Sequence, residues 1–206
     1  MRIFPRVKIC GITNSDDALF CAFSGADALG FVFADSKRKV EPEKVREIVE
    51  LLPPFVTSVG VFMDQSIDFV IKAASVSKIN VIQLHGDEDA DFIEKLGMPV
   101  IKRIKIFGSH TKDYALNTAA GIKVCGYILD PGAGQGIHFN WENFRNIPIN
   151  KRIIIAGGLT PDNVREAVKI IRPYGVDVSS GVEKSPGIKD HKKIKKFITE
   201  VKCALM

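Results

Sequence analysis

Short apolar, β-branched runs recur along the chain, at 7–10, 29–33, 58–62, 81–84, 100–104, 125–129, 153–156 and 176–179. Each is followed by a stretch in which apolar residues return every three or four positions. That pattern predicts strands alternating with helices. The helical stretches are 16–24, 42–51, 67–76, 89–96, a weak one at 112–117, a short one at 141–145, 162–171 and a closing one at 190–204. Thr13 or Asn14 is placed to cap the first helix, with Asp16 and Asp17 in its first turn. Pro42 and Pro161 suit first helical positions, Thr160 being the cap before the latter. Gly25 and Gly97 stand where helices should stop.

Strand–helix alternation implies a parallel sheet covered by helices. Eight such units in 206 residues predict a single-domain α/β protein, a (β/α)8 TIM barrel spanning 1–206, near the lower size limit of that fold. An open doubly wound sheet is the alternative. It would carry a glycine-rich dinucleotide turn after the first strand, and Cys10-Gly11-Ile12-Thr13 is not one. A barrel carries its site where the strands end.

Alternation along the first strand puts Lys8 and Cys10 on one face and Val7 and Ile9 on the other. The apolar pair should face the helices, so Lys8 and Cys10 point inward. A buried lysine needs a partner, and Asp177 on the eighth strand shares its face with Ser179 beside the first. A Lys8–Asp177 contact is expected. The sixth strand ends at Asp130, which is open to two readings, a helix cap or an acid at the barrel mouth. His85, ending the fourth strand, is open to a structural or a catalytic reading. Gly157-Gly158 after strand seven and Ser180-Gly181 after strand eight are glycine loops at the two positions where barrels commonly hold phosphate. Asp35-Ser36-Lys37-Arg38-Lys39 is either a solvated basic loop or a clamp for a second anion.

Composition narrows the function classes. Hydrophobic residues make up 46% and charged residues 26%, as in an ordinary globular domain. No apolar run approaches the ~20 residues that span a bilayer, and the N-terminus lacks a signal-peptide core. A cytoplasmic protein without membrane contact is expected. The cysteines at 10, 21, 125 and 203 show no metal or redox spacing, so free thiols are expected and neither metal nor cofactor is called for. Much of the net charge of +5 sits at His191, Lys192, Lys193, Lys195 and Lys196. Without interleaved aromatic residues this reads as a solvated helix face, not a nucleic-acid surface.

The joint pattern resembles the phosphoribosylanthranilate isomerase family over essentially the whole chain. The residues that carry it are Val7-Lys8-Ile9-Cys10-Gly11-Ile12-Thr13, Gly30-Phe31-Val32-Phe33, Ser36-Lys37-Arg38, Gly60-Val61-Phe62, Val81-Ile82-Gln83-Leu84-His85-Gly86, Leu129-Asp130, Ala156-Gly157-Gly158-Leu159, Asp177-Val178-Ser179-Ser180-Gly181-Val182-Glu183 and Pro186-Gly187-Ile188-Lys189-Asp190. The resemblance implies a cofactor-free Amadori rearrangement of N-(5-phosphoribosyl)anthranilate in tryptophan biosynthesis. It implies Asp130 as the general acid, Cys10 as the general base and Arg38 as the holder of the anthranilate carboxylate. It implies the phosphate grip at Gly157, Gly158, Ser180 and Gly181, and His85 and Asp177 as polar residues lining the site. The implied partner is a small substrate with phosphate and carboxylate groups, bound by a monomer or homodimer. The chain departs from the family after Asp130, where the loop is short and Asn140 stands in Phe139-Asn140-Trp141.

Two other functions compete. A related histidine-pathway barrel acts on a phosphoribosyl aminoimidazole but pairs two aspartates, which Cys10 argues against. A barrel that binds a phosphorylated metabolite without turnover would keep phosphate affinity after loss of both Cys10 and Asp130.

Overall fold

The computed structural model describes residues 4–106, 111–119, 121, 123–132, 140–147 and 152–205. Eight parallel strands close into a barrel in sequence order: β1 (Arg6–Cys10), β2 (Ala28–Val32), β3 (Thr57–Phe62), β4 (Val81–Leu84), β5 (Val100–Lys105), β6 (Gly126–Asp130), β7 (Ile153–Ile155) and β8 (Gly175–Val178). Closure pairs β1 with β8 in the register Lys8↔Asp177. The helices are α1 (Ser15–Ser24), α2 (Pro42–Val49), α3 (Ile67–Ser77), α4 (Ala90–Lys95), α5 (Lys112–Thr118), α6 (Val164–Ile171) and α7 (His191–Cys203). The short sixth helical stretch is a single 3-10 turn, Trp141–Phe144, opened by the Asn140 side chain, which accepts from Glu142 N.

Alternation explains the layers. Val7, Ile9, Leu29, Phe31, Phe62, Ile82 and Leu84 turn outward and are buried under the helices. Inside the lower barrel Ile101, Ile128 and Ile154 form a separate cluster. On α7, Ile194, Phe197, Ile198 and Val201 make one buried stripe at helical spacing. Each such side chain contributes roughly 1.5–3 kcal/mol of apolar burial. The lysines at 192, 193, 195 and 196 cover the opposite, exposed face.

Local signals place the ends. Asn14 caps α1, accepting from Asp17 N at 2.8 Å, and Gly25 closes that helix in the left-handed region at φ 99°. Pro42 opens α2 as expected. Pro161 does not open α6: it begins a turn, and the helix starts at Val164. The reason is Asn163, whose side chain folds back to accept from Thr160 N at 2.8 Å and donate to Gly158 O at 2.9 Å. These bonds hold 158–163 as a compact loop before the helix. A hairpin the hydrophobic pattern does not reveal, β9 (Glu183–Ser185) with β10 (Ile188–Lys189), follows a 3-10 turn at Ser180–Val182.

Candidate active site

The inner face turns polar toward the C-terminal ends of the strands, where Lys8, Cys10, Gln83, His85, Arg103, Asp130, Asp177 and Ser179 gather by alternation. Among the described residues, three buried side-chain atoms lack a hydrogen-bond partner: Gln83 Oε1, Arg103 Nε and Ser179 Oγ. All three belong to this inner set. Buried polar atoms left open in a native fold need water or a ligand, so their clustering marks where a polar molecule would sit. A cavity of about 470 Å3 opens at the opposite end of the barrel, where Lys8, Ile101, Ile154 and Tyr174 line it. It lies away from the C-terminal strand ends where these polar groups gather.

On the β1–β8 side, Lys8 Nζ donates to Asp177 Oδ1 at 2.9 Å, with both side chains at most 10% exposed. Burial opposes the Lys8 charge, yet Asp177 and Cys10 outweigh it and raise its pKa. Cys10 is 8% exposed. Burial pushes its thiol up; Lys8 pulls down, Asp177 pushes up again, and the net direction is upward. A depressed thiol, which inward-facing Lys8 alone would favour, is therefore not what the site makes. Gly30 on β2 makes room for both groups. A Cβ there would stand 2.7 Å from Cys10 Sγ and 2.9 Å from Lys8 Nζ.

Across the mouth, Asp130 ends β6. Its Oδ1 accepts from Gly132 N at 2.8 Å and its Oδ2 lies 3.4 Å from His85 Nε2. His85 is pushed down to about 4, by burial first and by Arg103 next, so it is neutral at pH 7. Gln83 Nε2 lies 3.5 Å from His85 Nδ1. Donation from Gln83 leaves the ring proton on Nε2, facing Asp130. The charges of Asp177 and Lys8 also act on His85, so the two sides of the mouth share one electrostatic space.

The glycine loops meet beside Asp130. Gly157 and Gly158 both have positive φ, 83° and 70°, and nothing stands within 4 Å of a Cβ built on Gly158. Two left-handed glycines in succession turn the backbone sharply after β7, and Gly158 is exposed at the rim. The Gly157 Cβ position is 3.1 Å from Asp130 Oδ1, and Gly181 packs against Leu159 O. Ser180 is exposed at the same rim.

Arg38 reaches this rim from the loop after β2, its chain lying over Gly11. It is not free: Nε and Nη2 donate to the two carboxylate oxygens of Glu183 at 2.8 and 2.7 Å. Lys189 Nζ donates to Glu183 Oε1 at 2.8 Å and to Cys10 O, with its side chain fully buried. The β9–β10 hairpin thus ties Arg38 to the end of β1. Burial opposes the Glu183 charge, but Arg38 and Lys189 hold its carboxyl below the ordinary range.

The sequence reading singled out neither Glu183 nor Lys189 for a role, and it passed over Arg103. Arg103 Nη1 donates to His85 O and Nη2 to Asp130 O, each at 3.3 Å. A pair of adjacent cations in a strand was the available signal, since one of them must face inward. The rest of the short loop after Asp130, at 133–139, lies outside the described residues. Among the described residues, no group of three or more His, Cys, Asp or Glu is placed to hold a metal ion, and no helix is long and apolar enough to cross a membrane.

The family model described as N-(5'phosphoribosyl)anthranilate (PRA) isomerase matches residues 7–200. An N-(5'-phosphoribosyl)anthranilate isomerase of Geotalea uraniireducens (strain Rf4) is 47% identical over 204 residues, covering 96% of this chain and 98% of the relative. The crystal structure of phosphoribosyl anthranilate isomerase from Thermotoga maritima matches with a TM-score of 0.84 at 40% identity, over 96% of this chain and 98% of that one. A phosphoribosyl anthranilate isomerase solved in complex with reduced 1-(o-carboxyphenylamino)-1-deoxyribulose 5-phosphate matches with a TM-score of 0.81, at the same identity and coverage.

Proposed function

The chain belongs to the phosphoribosylanthranilate isomerase family of enzymes, and from that premise we propose that it converts N-(5-phosphoribosyl)anthranilate to 1-(2-carboxyphenylamino)-1-deoxyribulose 5-phosphate by general acid–base catalysis, as a cytoplasmic step of tryptophan biosynthesis. The observation that carries the reading is the placement of a thiol and a carboxyl at the ends of β1 and β6, on one inner face, beside the glycine loops that follow β7 and β8.

The substrate phosphate sits on the backbone of Gly157, Gly158, Ser180 and Gly181. Asp130, as general acid, gives a proton to the furanose oxygen as the C1–O bond breaks and the nitrogen lone pair forms an imine. Cys10, as thiolate, takes the proton from C2. The C2–H electrons move to form an enolamine, which settles to the ketone. Each proton transfer by a positioned group contributes typically ~10²–10⁴-fold.

Lys8 supplies the counter-charge for the thiolate, and Lys8 is itself held in place by Asp177. The upward-shifted thiol means the base form is a minor one at pH 7, but a stronger base once formed. Neutral His85 positions Asp130 and lines the sugar, and Arg38 receives the anthranilate carboxylate on the edge that Glu183 leaves open. The direct test mixes the purified protein with freshly made phosphoribosylanthranilate and follows anthranilate fluorescence. An enzyme-dependent decay is expected; none, with folded protein, favours a barrel that only binds.

A further inference from the structure

Arg103 takes part in no step described above. The β5–β6 register sets it level with Ile128, one inward position below Asp130. From there its guanidinium reaches both neighbouring strand ends. Nη1 donates to His85 O and Nη2 to Asp130 O, each at 3.3 Å. The His85 carbonyl lies beyond the β4–β5 ladder, whose register ends at Leu84↔Lys102, so Arg103 continues the connection where the sheet stops. Gly132 leaves it room: a Cβ there would stand 3.1 Å from Arg103 Nη2. The same glycine donates its N–H to Asp130 Oδ1. The guanidinium therefore lies against the turn that holds the Asp130 carboxylate. Its planar fork suits two acceptors held at a fixed spacing.

The His85 ring is the group most exposed to this cation. Asp130 Oδ2 faces its Nε2 at 3.4 Å, and Gln83 faces its Nδ1. Burial, Arg103 and Lys8 disfavour the charged ring, whereas Asp177 and Glu88 favour it, and it stays neutral down to about pH 4.

We propose that Arg103 is a positioning residue: by bridging the carbonyls that end β4 and β6, two strands that do not pair, it fixes His85 and Asp130 against each other so that the acid meets the sugar in one orientation. The kinetic consequence rests on the isomerase reading; the bridge itself does not. A reacting group misplaced by ~1 Å can cost ~10²-fold in rate.

The test uses Arg103→Met, which keeps the aliphatic stem, and Arg103→Lys, which keeps the charge without the fork. Thermal melts check that both fold. The His85 ring is titrated by NMR, with His85→Gln to assign its signals, and kcat and KM are measured for phosphoribosylanthranilate. Arg103→Met should raise the His85 midpoint by about 1 pH unit and lower kcat by about 10- to 100-fold, with KM within about threefold. Arg103→Lys should keep the low His85 midpoint and still lose kcat, which separates the bridge from the charge. In a His85→Gln background, Arg103→Met should cost less than it does alone, because it acts through that contact. An unmoved His85 midpoint in Arg103→Met overturns the proposal, as does kcat within about twofold of wild type in either variant, or a loss that multiplies fully with that of His85→Gln. If Arg103→Met does not fold, the Arg103→Lys kcat decides. The His85 titration needs no turnover: a wild-type protein that fails to isomerise sinks the proposed activity, while the titration still upholds or overturns the contact between Arg103 and His85.

Discussion

Replacing Lys8 by Met removes one half of a buried ion pair and keeps most of the side-chain volume. The structure sets the size of the effect. Lys8 and Asp177 are 5% and 10% exposed at a 2.9 Å separation, so Asp177 is left as an uncompensated charge inside the barrel. Removing one partner of such a pair costs about 3–5 kcal/mol. For a chain of 206 residues, at about 2–4 °C per kcal/mol, the melting temperature should fall by about 6–20 °C. Adding Asp177→Asn to Lys8→Met removes the stranded charge, so the double variant should recover at least about 1.5 kcal/mol. The sign with pH follows from the raised Lys8 pKa. A cation whose pKa is higher folded than unfolded stabilises fully below its unfolded value, near ~10.4, and loses that stabilisation as pH climbs to the folded value. Urea melts at pH 7.5 should therefore show the full gap between wild type and Lys8→Met, and melts above pH ~10.4 a shrinking one. A single-variant cost under about 1 kcal/mol, or strictly additive variants, refutes the argument that this pair is buried and coupled.

Three further outcomes follow from the same geometry. Burial pushes the Cys10 thiol up, so alkylation of Cys10, resolved from the other cysteines by mass spectrometry, should have its midpoint above the usual ~8.5; a midpoint below that value contradicts the electrostatics, and Lys8→Met should move it higher. Gly30→Ala puts a methyl 2.7 Å from Cys10 Sγ and should cost about 1–3 kcal/mol in overpacking together with lost kcat, whereas Gly97→Ala, with open space around it, should leave kcat alone. Glu183→Gln frees Arg38 from its fork and strips Lys189 of its charge partner; stability measured by denaturant should drop by about 3 kcal/mol, and KM should change more than kcat.

Much of this was legible because two periods were legible. Strand alternation alone put Lys8, Cys10 and Asp177 on the inner face, and closure of the barrel then brought residues 8 and 177 into register. The eight strands appear within a residue or so of their expected bounds. What stayed hidden depends on features that periodicity does not carry. The β9–β10 hairpin is too short to show a pattern, and it inverts the usual rule: Ile188 is 46% exposed while Lys189 is 1%. Arg103 and Lys102 look alike in sequence, and only the register of β5 sends one inward and the other out to Glu88. The direction of the Cys10 shift required the burial around it, which outweighs the neighbouring lysine. Pro161 failed as a helix start because the Asn163 side chain, three-dimensional in its effect, closes the loop first.

The claim on which the rest depends is that one thiol and one carboxyl move the two protons. Single-turnover rates with excess enzyme isolate that step from binding and release. Cys10→Ala and Asp130→Asn should each slow the chemical step by at least ~10²-fold while the protein still binds inorganic phosphate. A rate within about threefold of wild type in either variant would remove that residue from the chemistry and contradict the account.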